Sequence, residues 1–379
     1  MQKDGDDLVI DHDERTDRAL ERAALELLTA GGLLSGFTLS DVGTRAGVTR
    51  SLVYHYFGDR QSLLRSALRH GAAELQHHIK SIPYSSYGRR LTGFLRFALK
   101  YPVAVQLSAL GVIDNDRRTL TMPIREQTME SFARDVAEGY LPHGTDLEAL
   151  LGVQNCLIYG YVIFRHGLAR QVGVDVEKLD KRFASQIEAI GEAAATADWT
   201  GEPMPMPVVR GIRRKVEDTS TPGLLEAAAL ALLEENGVLA GVNLKKVAER
   251  AGVQRSLVYH YFDTRRELVL SALRRRRTEA LEISTPDGVP GDLLFASVTK
   301  DSEPVHLMAL LAIDGDVAYE PLGTHASRLD EVMPDLVGAC MAYGHAIYRE
   351  PFAREMGATQ RAWDRRVFAA WARIASALW

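Results

Sequence analysis

Two short runs of side chains have the types and spacing to read a duplex. Thr49-Arg50-Ser51 and Gln254-Arg255-Ser256 each follow an Ala-Gly-Val turn and each lead into Leu-Val-Tyr-His-Tyr-Phe. A short helix entered through a tight turn presents its first residues to base edges when it lies in a major groove. There Arg50 or Arg255 would take guanine O6 and N7 with both arms of its guanidinium, and Gln254 would take adenine N6 and N7. The whole stretch Arg45–Phe57 returns as Arg250–Phe262 with one difference, Thr49 against Gln254.

The surrounding sequence supplies the elements that would position these residues. From Thr16, Leu20, Ala24, Leu25, Leu27 and Leu28 form one helical stripe that Gly31-Gly32 stop. Thr38 reads as the cap of a short helix, Gly47 as the turn, and Thr49 as the cap of the helix Arg50–Tyr56. Asp59 reads as the cap of a longer helix through about His78. Tyr101–Asp116, Met122–Tyr140, Leu147–Arg170 and Val176–Ala197 are each apolar at helical spacing, and no strand alternation occurs. After Thr221-Pro222 the order begins again with Leu224–Glu235, Asn243–Ala251, Gln254–Tyr261 and Thr264–Arg277. An all-α chain is expected.

The duplication extends past these heads. Gln106–Asp116 matches His306–Asp316, and Cys156–Gly173 matches Cys340–Gly357 through Tyr159/Tyr343, Gly160/Gly344 and Arg165/Arg349. The offset between copies falls from 205 in the heads to 200 and then 184, so the second half is a shortened copy lacking part of Thr119–Leu141. The pairs Asp114/Asp116 and Asp314/Asp316 sit at helix ends and read as caps rather than catalytic dyads.

Composition restricts the class. The chain has 379 residues, 46% hydrophobic and 25% charged, with a net charge of −5, as in an ordinary soluble globular protein of two or three domains. The acidic average hides a basic stretch, with about ten cationic side chains between Lys245 and Arg277. Arg274–Arg277 reads as a solvated helix face, and Arg210, Arg213, Arg214 and Lys215 as either an arm on DNA or solvated linker. Cys156 and Cys340 occupy equivalent positions and make no disulfide framework, which fits a cytoplasmic protein. No metal-ligand spacing, phosphate loop or nucleophile–base pair is visible, so neither an enzyme nor a cofactor is expected. Leu147–Phe164 reads as a buried helix rather than a membrane span.

The run Ala46–Arg60 and its copy resemble the signature of TetR-type transcriptional regulators, and a chain with two such heads resembles double-length members of that family. The resemblance is strong over residues 16–79 and 221–277. It implies a double-stranded DNA operator as partner, phosphate contacts from Tyr54, Arg60, Tyr259 and Arg265 helped by Thr38 and Asn243, and His55 and His260 at the groove wall. Leu52 and Leu257 depart from it, standing where the family often has threonine. They are expected to pack. Tyr56, Phe57, Tyr261 and Phe262 are expected in the core.

The expected organisation is an acidic, disordered segment 1–15, a first helix-turn-helix domain 16–58, a helical effector-type domain 59–198 and a proline-rich linker 199–219. A second head, 220–263, and a shortened effector-type domain, 264–379, complete it. The matched late helices would form a four-helix interface within one chain, a monomeric pseudo-dimer whose operator need only be approximately palindromic, with higher assembly left open. The resemblance further implies a small apolar effector in the first half, in a cavity lined by Phe94, Phe97, Tyr101, Met122, Met129, Phe132, Asn155 and Tyr159. The expected activity is that of a ligand-responsive repressor; the alternatives are an activator without effector and a helical adaptor that binds protein.

Overall fold

The computed structural model describes residues 12–31, 37–79, 86–209, 218–280, 291–316, 321–322 and 329–379. Among them are seventeen α-helices and no strand, so the fold is all-α as expected. The first half contributes α1 (His12–Gly31), α2 (Leu39–Ala46), α3 (Arg50–Phe57), α4 (Arg60–Ile79), α5 (Tyr87–Lys100), α6 (Pro102–Ile113), α7 (Arg125–Ala137), α8 (Leu147–Val172) and α9 (Val176–Thr196). The second contributes α10 (Thr221–Asn236), α11 (Leu244–Ala251), α12 (Arg255–Tyr261), α13 (Arg265–Ala280), α14 (Asp292–Lys300), α15 (Glu303–Ile313), α16 (Leu329–Glu355) and α17 (Gln360–Leu378). Helix α1 begins before Thr16, within the stretch expected to lack structure; residues 1–11 lie outside the described residues. Helices α5 and α14 were not separated out by the sequence reading, although α5 buries Tyr87, Leu91, Leu95 and Ala98 at helical spacing. Helix α7 has no counterpart among the described residues between α15 and α16.

The core is organised around the crossing of α8 and α16. Helix α8 is apolar nearly all round, which demands burial on every side; it is long and apolar enough to span a membrane, yet its apolar window is enclosed by the protein itself. Asp146 starts it by accepting from the Ala149 amide at 3.1 Å, and Gly173, at φ 72°, ends it. At the crossing a Cβ on Gly160 would stand 2.0 Å from the Cys340 carbonyl oxygen, and one on Gly344 would stand 1.8 Å from that of Cys156. Only glycine permits backbones to approach this closely. These two contacts exchange equivalent residues, so the halves are related by a pseudo-dyad through the crossing, as in an isologous dimer interface.

The same reciprocity recurs away from the axis. Arg182 Nε meets Asp330 at 2.9 Å, and its equivalent, Arg366, meets Asp146 through Nε at 2.9 Å and Nη2 at 2.6 Å. The Tyr159 hydroxyl donates to the Thr121 carbonyl at 3.3 Å, and the Tyr343 hydroxyl donates to the Pro321 carbonyl. Helices α9 and α17 flank the crossing and pack on each other. The four late helices therefore make one bundle.

Symmetry fails at the periphery. In the first half α5 runs along α9, with Gly88 and Gly191 facing: a Cβ on Gly191 would be 2.6 Å from the Gly88 Cα. In the second half Ala375 stands where Gly191 would be, and α14 packs chiefly on α16 rather than α17. The proline-rich run after Trp199 is non-helical, as its alternating prolines require. It is tied to α17 where Arg373 Nη2 donates to the Gly201 carbonyl, while Nη1 donates to the Asp198 carbonyl just before it at 2.6 Å. Arg210, Arg213, Arg214 and Lys215 lie outside the described residues.

Candidate nucleic-acid interface

Each head is a three-helix unit whose turn is built by glycine. Gly47 and Gly252, at φ 73° and 69°, take the left-handed conformation that ends α2 and α11. Thr38 caps α2 in a closed box: the Asp41 amide donates to Thr38 Oγ1 at 3.2 Å, and the Thr38 amide donates to Asp41 Oδ2 at 2.6 Å. Asn243 caps α11 through the Lys245 amide at 2.9 Å. Val42, Val53, Val247 and Val258 are buried and fix the two helix pairs, which turns the opposite faces of α3 and α12 outward. Asp59 caps α4 through the Ser62 amide at 2.7 Å, as expected.

On the outward faces Thr49, Arg50, Ser51, Tyr54 and His55 are exposed, and so are Gln254, Arg255, Ser256, Tyr259 and His260. Arg50 Nη2 donates to the Tyr54 hydroxyl at 3.0 Å, and Arg255 Nη2 donates to that of Tyr259 at 3.2 Å. Each arginine is thus held over a tyrosine ring one turn on, a guanidinium pre-ordered for planar recognition. Thr49 and Gln254 hold the N-cap positions of α3 and α12 but make no side-chain cap bond. The expected Thr49 cap is therefore absent, and the two diverged side chains are available to bases. Leu52 and Leu257 are half-buried. Phe262 is core at 6% exposure, whereas Tyr261, expected in the core, is 41% exposed.

Three of the expected phosphate contacts are otherwise engaged. Thr38 and Asn243 spend their side-chain oxygens on caps. Arg60 is half-buried; it lies over the Phe37 ring, 4.6 Å from its centroid, and donates to the Leu239 carbonyl of the second head. Burial, then the nearby charge of Arg265, lowers its pKa to about 10 against the pull of Asp114. Arg60 and Arg265 thus face each other across a seam where the heads meet. A cleft of about 530 Å³ runs along that seam, lined from one side by Arg50, Tyr54 and Arg60 and from the other by Arg255, Tyr259 and Arg265.

The model of a family described as bacterial regulatory proteins, tetR family, matches residues 21–67 and again 225–272. The chain carries two heads of the tetR family. They mark it as a DNA-binding transcription regulator. No match is found among curated proteins.

The tetR-type heads are joined to the bodies by the aspartate pairs. Asp114 is the C-cap of α6, but its buried carboxylate does more than cap. It takes Arg65 of α4 at 2.7 Å, Gln61 Nε2 at 3.0 Å, and the Leu239 amide of the second head at 2.9 Å. Gln61 also donates to the Asn236 carbonyl at 3.0 Å. One carboxylate therefore links the end of α6, the connecting helix and the opposite head. Asp314 pairs with Arg266 at 2.6 Å, while Asp116 and Asp316 hold Arg69 and Arg274 at 3.2 and 2.8 Å. In the stretch Arg274–Arg277, expected to be a solvated face, Arg274 is exposed, while Arg275 and Arg276 are half-buried in ion pairs with Glu226 and Glu303, each at 2.9 Å. Sequence reading missed these links because their spacings, from 27 to 175 residues, follow no local period. The matched Asp pairs and matched arginines of α4 and α13 were the available signal.

The residues expected to line a first-half cavity are packed on one another. Met122, Phe132, Asn155 and Tyr159 are buried. Phe94 meets the Tyr159 ring edge-on at 5.9 Å, Phe97 meets Tyr101 at 4.9 Å, and Tyr159 continues to Tyr348 of the second half at 5.0 Å. Met129 packs against the same core. This is a ring-filled core, and the effector seat expected there gains no support from it.

Proposed function

We propose that the chain is a cytoplasmic, ligand-responsive repressor that binds one operator duplex as an intramolecular pseudo-dimer. What carries the reading is the reciprocal crossing of Gly160 and Gly344, which gives two tetR-type heads a common pseudo-dyad within one chain. Fusion then replaces association: the second head meets its half-site at a high effective concentration. Arg50 and Arg255 read guanine in the two half-sites, and Thr49 against Gln254 makes the half-sites unlike. Tyr54 and Tyr259 hold phosphate. Asp114 couples body to head, because any shift of α6 is passed both to α4 and to the Leu239 turn of the other head. An effector that prefers one spacing of the heads shifts the population away from the operator-bound arrangement.

The test is a mobility-shift titration of the full chain on its own upstream DNA at stated salt. Arg50→Ala and Arg255→Ala are each expected to weaken binding by about 1–3 kcal/mol and to relax base preference in one half-site only. Gln254→Thr is expected to move the preference toward a symmetric palindrome. Unchanged affinity in the double arginine variant, or four heads on one operator, would overturn the reading.

A further inference from the structure

A large cleft borders the outer helices of the second half. It has a volume of about 1070 Å³ and lies between α14 and α17, roofed by the proline-rich strap 203–209. The copies differ around it. Helices α5 and α9 close on each other through Gly88 and Gly191, whereas Ala375 replaces the second glycine and α14 turns to α16. Two helices that run closely together in one copy touch less extensively in the other, chiefly through Phe295 and Phe368 at 5.4 Å, and the strap crosses beside them.

The lining has two characters. The strap offers Met204, Met206 and Val208, with Trp199 at one end. Seven extended residues span roughly 20 Å, so this apolar wall is long. The α17 wall is cationic. Arg361 and Arg365 are exposed on it, and Arg361 and Arg373 stand where the equivalent first-half positions carry Glu177 and Ala189. Lys300, from α14, and Arg373 donate to strap carbonyls, of Val209 at 3.2 Å and of Gly201. The two acids in the lining are already engaged, Asp364 by Arg349 and Asp146 by Arg366. At the floor the Thr299 hydroxyl is buried, 8% exposed as a residue, and makes no hydrogen bond among the described residues.

A long apolar wall and two arginines without an ion pair among the described residues, with a buried hydroxyl in the same lining, fit one class of ligand. We propose that this cleft binds an amphipathic organic anion, an extended apolar body along the strap with its carboxylate or phosphate on Arg361 and Arg365. It is the effector seat for the regulation proposed above, and rests on that reading. Binding would draw the strap onto α17, and the strap is the covalent link to the second head.

The probes are hexadecanoate, hexadecyl phosphate and, as neutral control, hexadecanol, titrated calorimetrically into the full chain below their aggregation limits. At least one anion is expected to bind saturably, and the alcohol roughly tenfold more weakly or not at all. The double variant Arg361→Ala/Arg365→Ala, both positions exposed and so compatible with folding, is expected to lose roughly tenfold in anion affinity. Met206→Asp is expected to weaken both anions. Whichever anion binds more tightly identifies the head group. No saturable binding by either anion, equal binding of the alcohol, or an unaltered affinity in the double variant would overturn the proposal. Operator binding is measured in parallel. A chain that binds operator but no anion strikes this proposal alone, and one that binds anion but no DNA strikes the regulator reading.

Discussion

The crossing of α8 and α16 and the contact between α5 and α9 are both glycine-mediated, yet duplication has treated them differently. At the crossing Gly160 lies on Cys340 and Gly344 on Cys156, so each copy's sequence is constrained by the other copy. At the periphery Gly191 faces Gly88 within one half only, and its equivalent has become Ala375. A contact made across the pseudo-dyad cannot change in one copy without breaking its partner's packing. A contact made inside one copy can change alone. The surfaces free to diverge are therefore the outer helices and the recognition positions, and those are where the copies differ as Thr49 and Gln254, Glu177 and Arg361, and Ala189 and Arg373.

A graded glycine series breaks this comparison most severely. Gly160→Ala and Gly344→Ala place a Cβ about 2 Å from a backbone carbonyl that has no rotamer to escape through. Each is expected to cost roughly 3–5 kcal/mol, read as a lower thermal midpoint. Gly191→Ala should cost less, about 1–3 kcal/mol, because α5 can retreat as α14 has done. If Gly191→Ala proves as harmful as Gly344→Ala, the distinction between shared and private contacts is lost.

A second difference separates the halves by chemistry rather than space. In the first, the Tyr161 hydroxyl donates to Asp180 at 2.7 Å and Arg165 meets the same carboxylate at 2.8 Å. In the second, His345 takes the place of Tyr161: its Nε2 is 2.9 Å from Asp364, which Arg349 also holds. His345 is fully buried against the Phe295 ring at 4.5 Å. Burial lowers its pKa below the usual 6.5, more than Asp364 raises it. The folded chain therefore refuses a proton that the unfolded chain accepts. Stability is fully present above about pH 6.5 and falls below it, by at most about 1.4 kcal/mol per pH unit for this one group. His345→Gln keeps a donor for Asp364 without titrating, so its stability between pH 7 and 5 should be flatter than that of the parent chain. Parallel losses in the two proteins would assign the dependence elsewhere, His306 being the other histidine whose pKa burial lowers in this half.

What the sequence could reveal follows from the same distinction. Both heads, the helix order apart from α5 and α14, the caps at Thr38 and Asp59 and the internal bundle were readable because local periodicity and a near-verbatim repeat encode them. Exposure of Arg50, Tyr54 and their copies followed from the helix-turn-helix pattern. The Asp114 links to Gln61, Arg65 and Leu239, and the turning of Arg60 into the head–head seam, were not readable, since they depend on how separate units dock. The first-half cavity was expected from the family resemblance, and the apolar side chains assigned to it follow a pattern that lining residues share with ordinary core. The cleft between α14 and α17 depends on how those helices and the strap dock, which no motif announces.

The mildest test concerns the reciprocal ion pairs. Arg366 engages Asp146 at 2.6 Å and Glu148 at 2.8 Å, all three side chains roughly one-third exposed. Asp146, first, holds its pKa above the usual arginine value. Arg182 has the equivalent Asp330 at 2.9 Å, but that carboxylate is 80% exposed. Two pairs related by the same pseudo-dyad should therefore contribute unequally, because screening removes most of the attraction between solvent-exposed charges. Arg366→Ala is expected to cost about 1 kcal/mol and Arg182→Ala under about 0.5 kcal/mol. The substitutions belong on the arginines, since Asp146 also caps α8 and removing it would add the cost of a lost cap. The two sites lie on different helices and share no partner, so their effects should add. Equal losses at the two positions would mean that the halves are more alike in energy than in exposure. A larger loss at Arg182 would reverse the ranking of full and shortened copies that the peripheral contacts suggest.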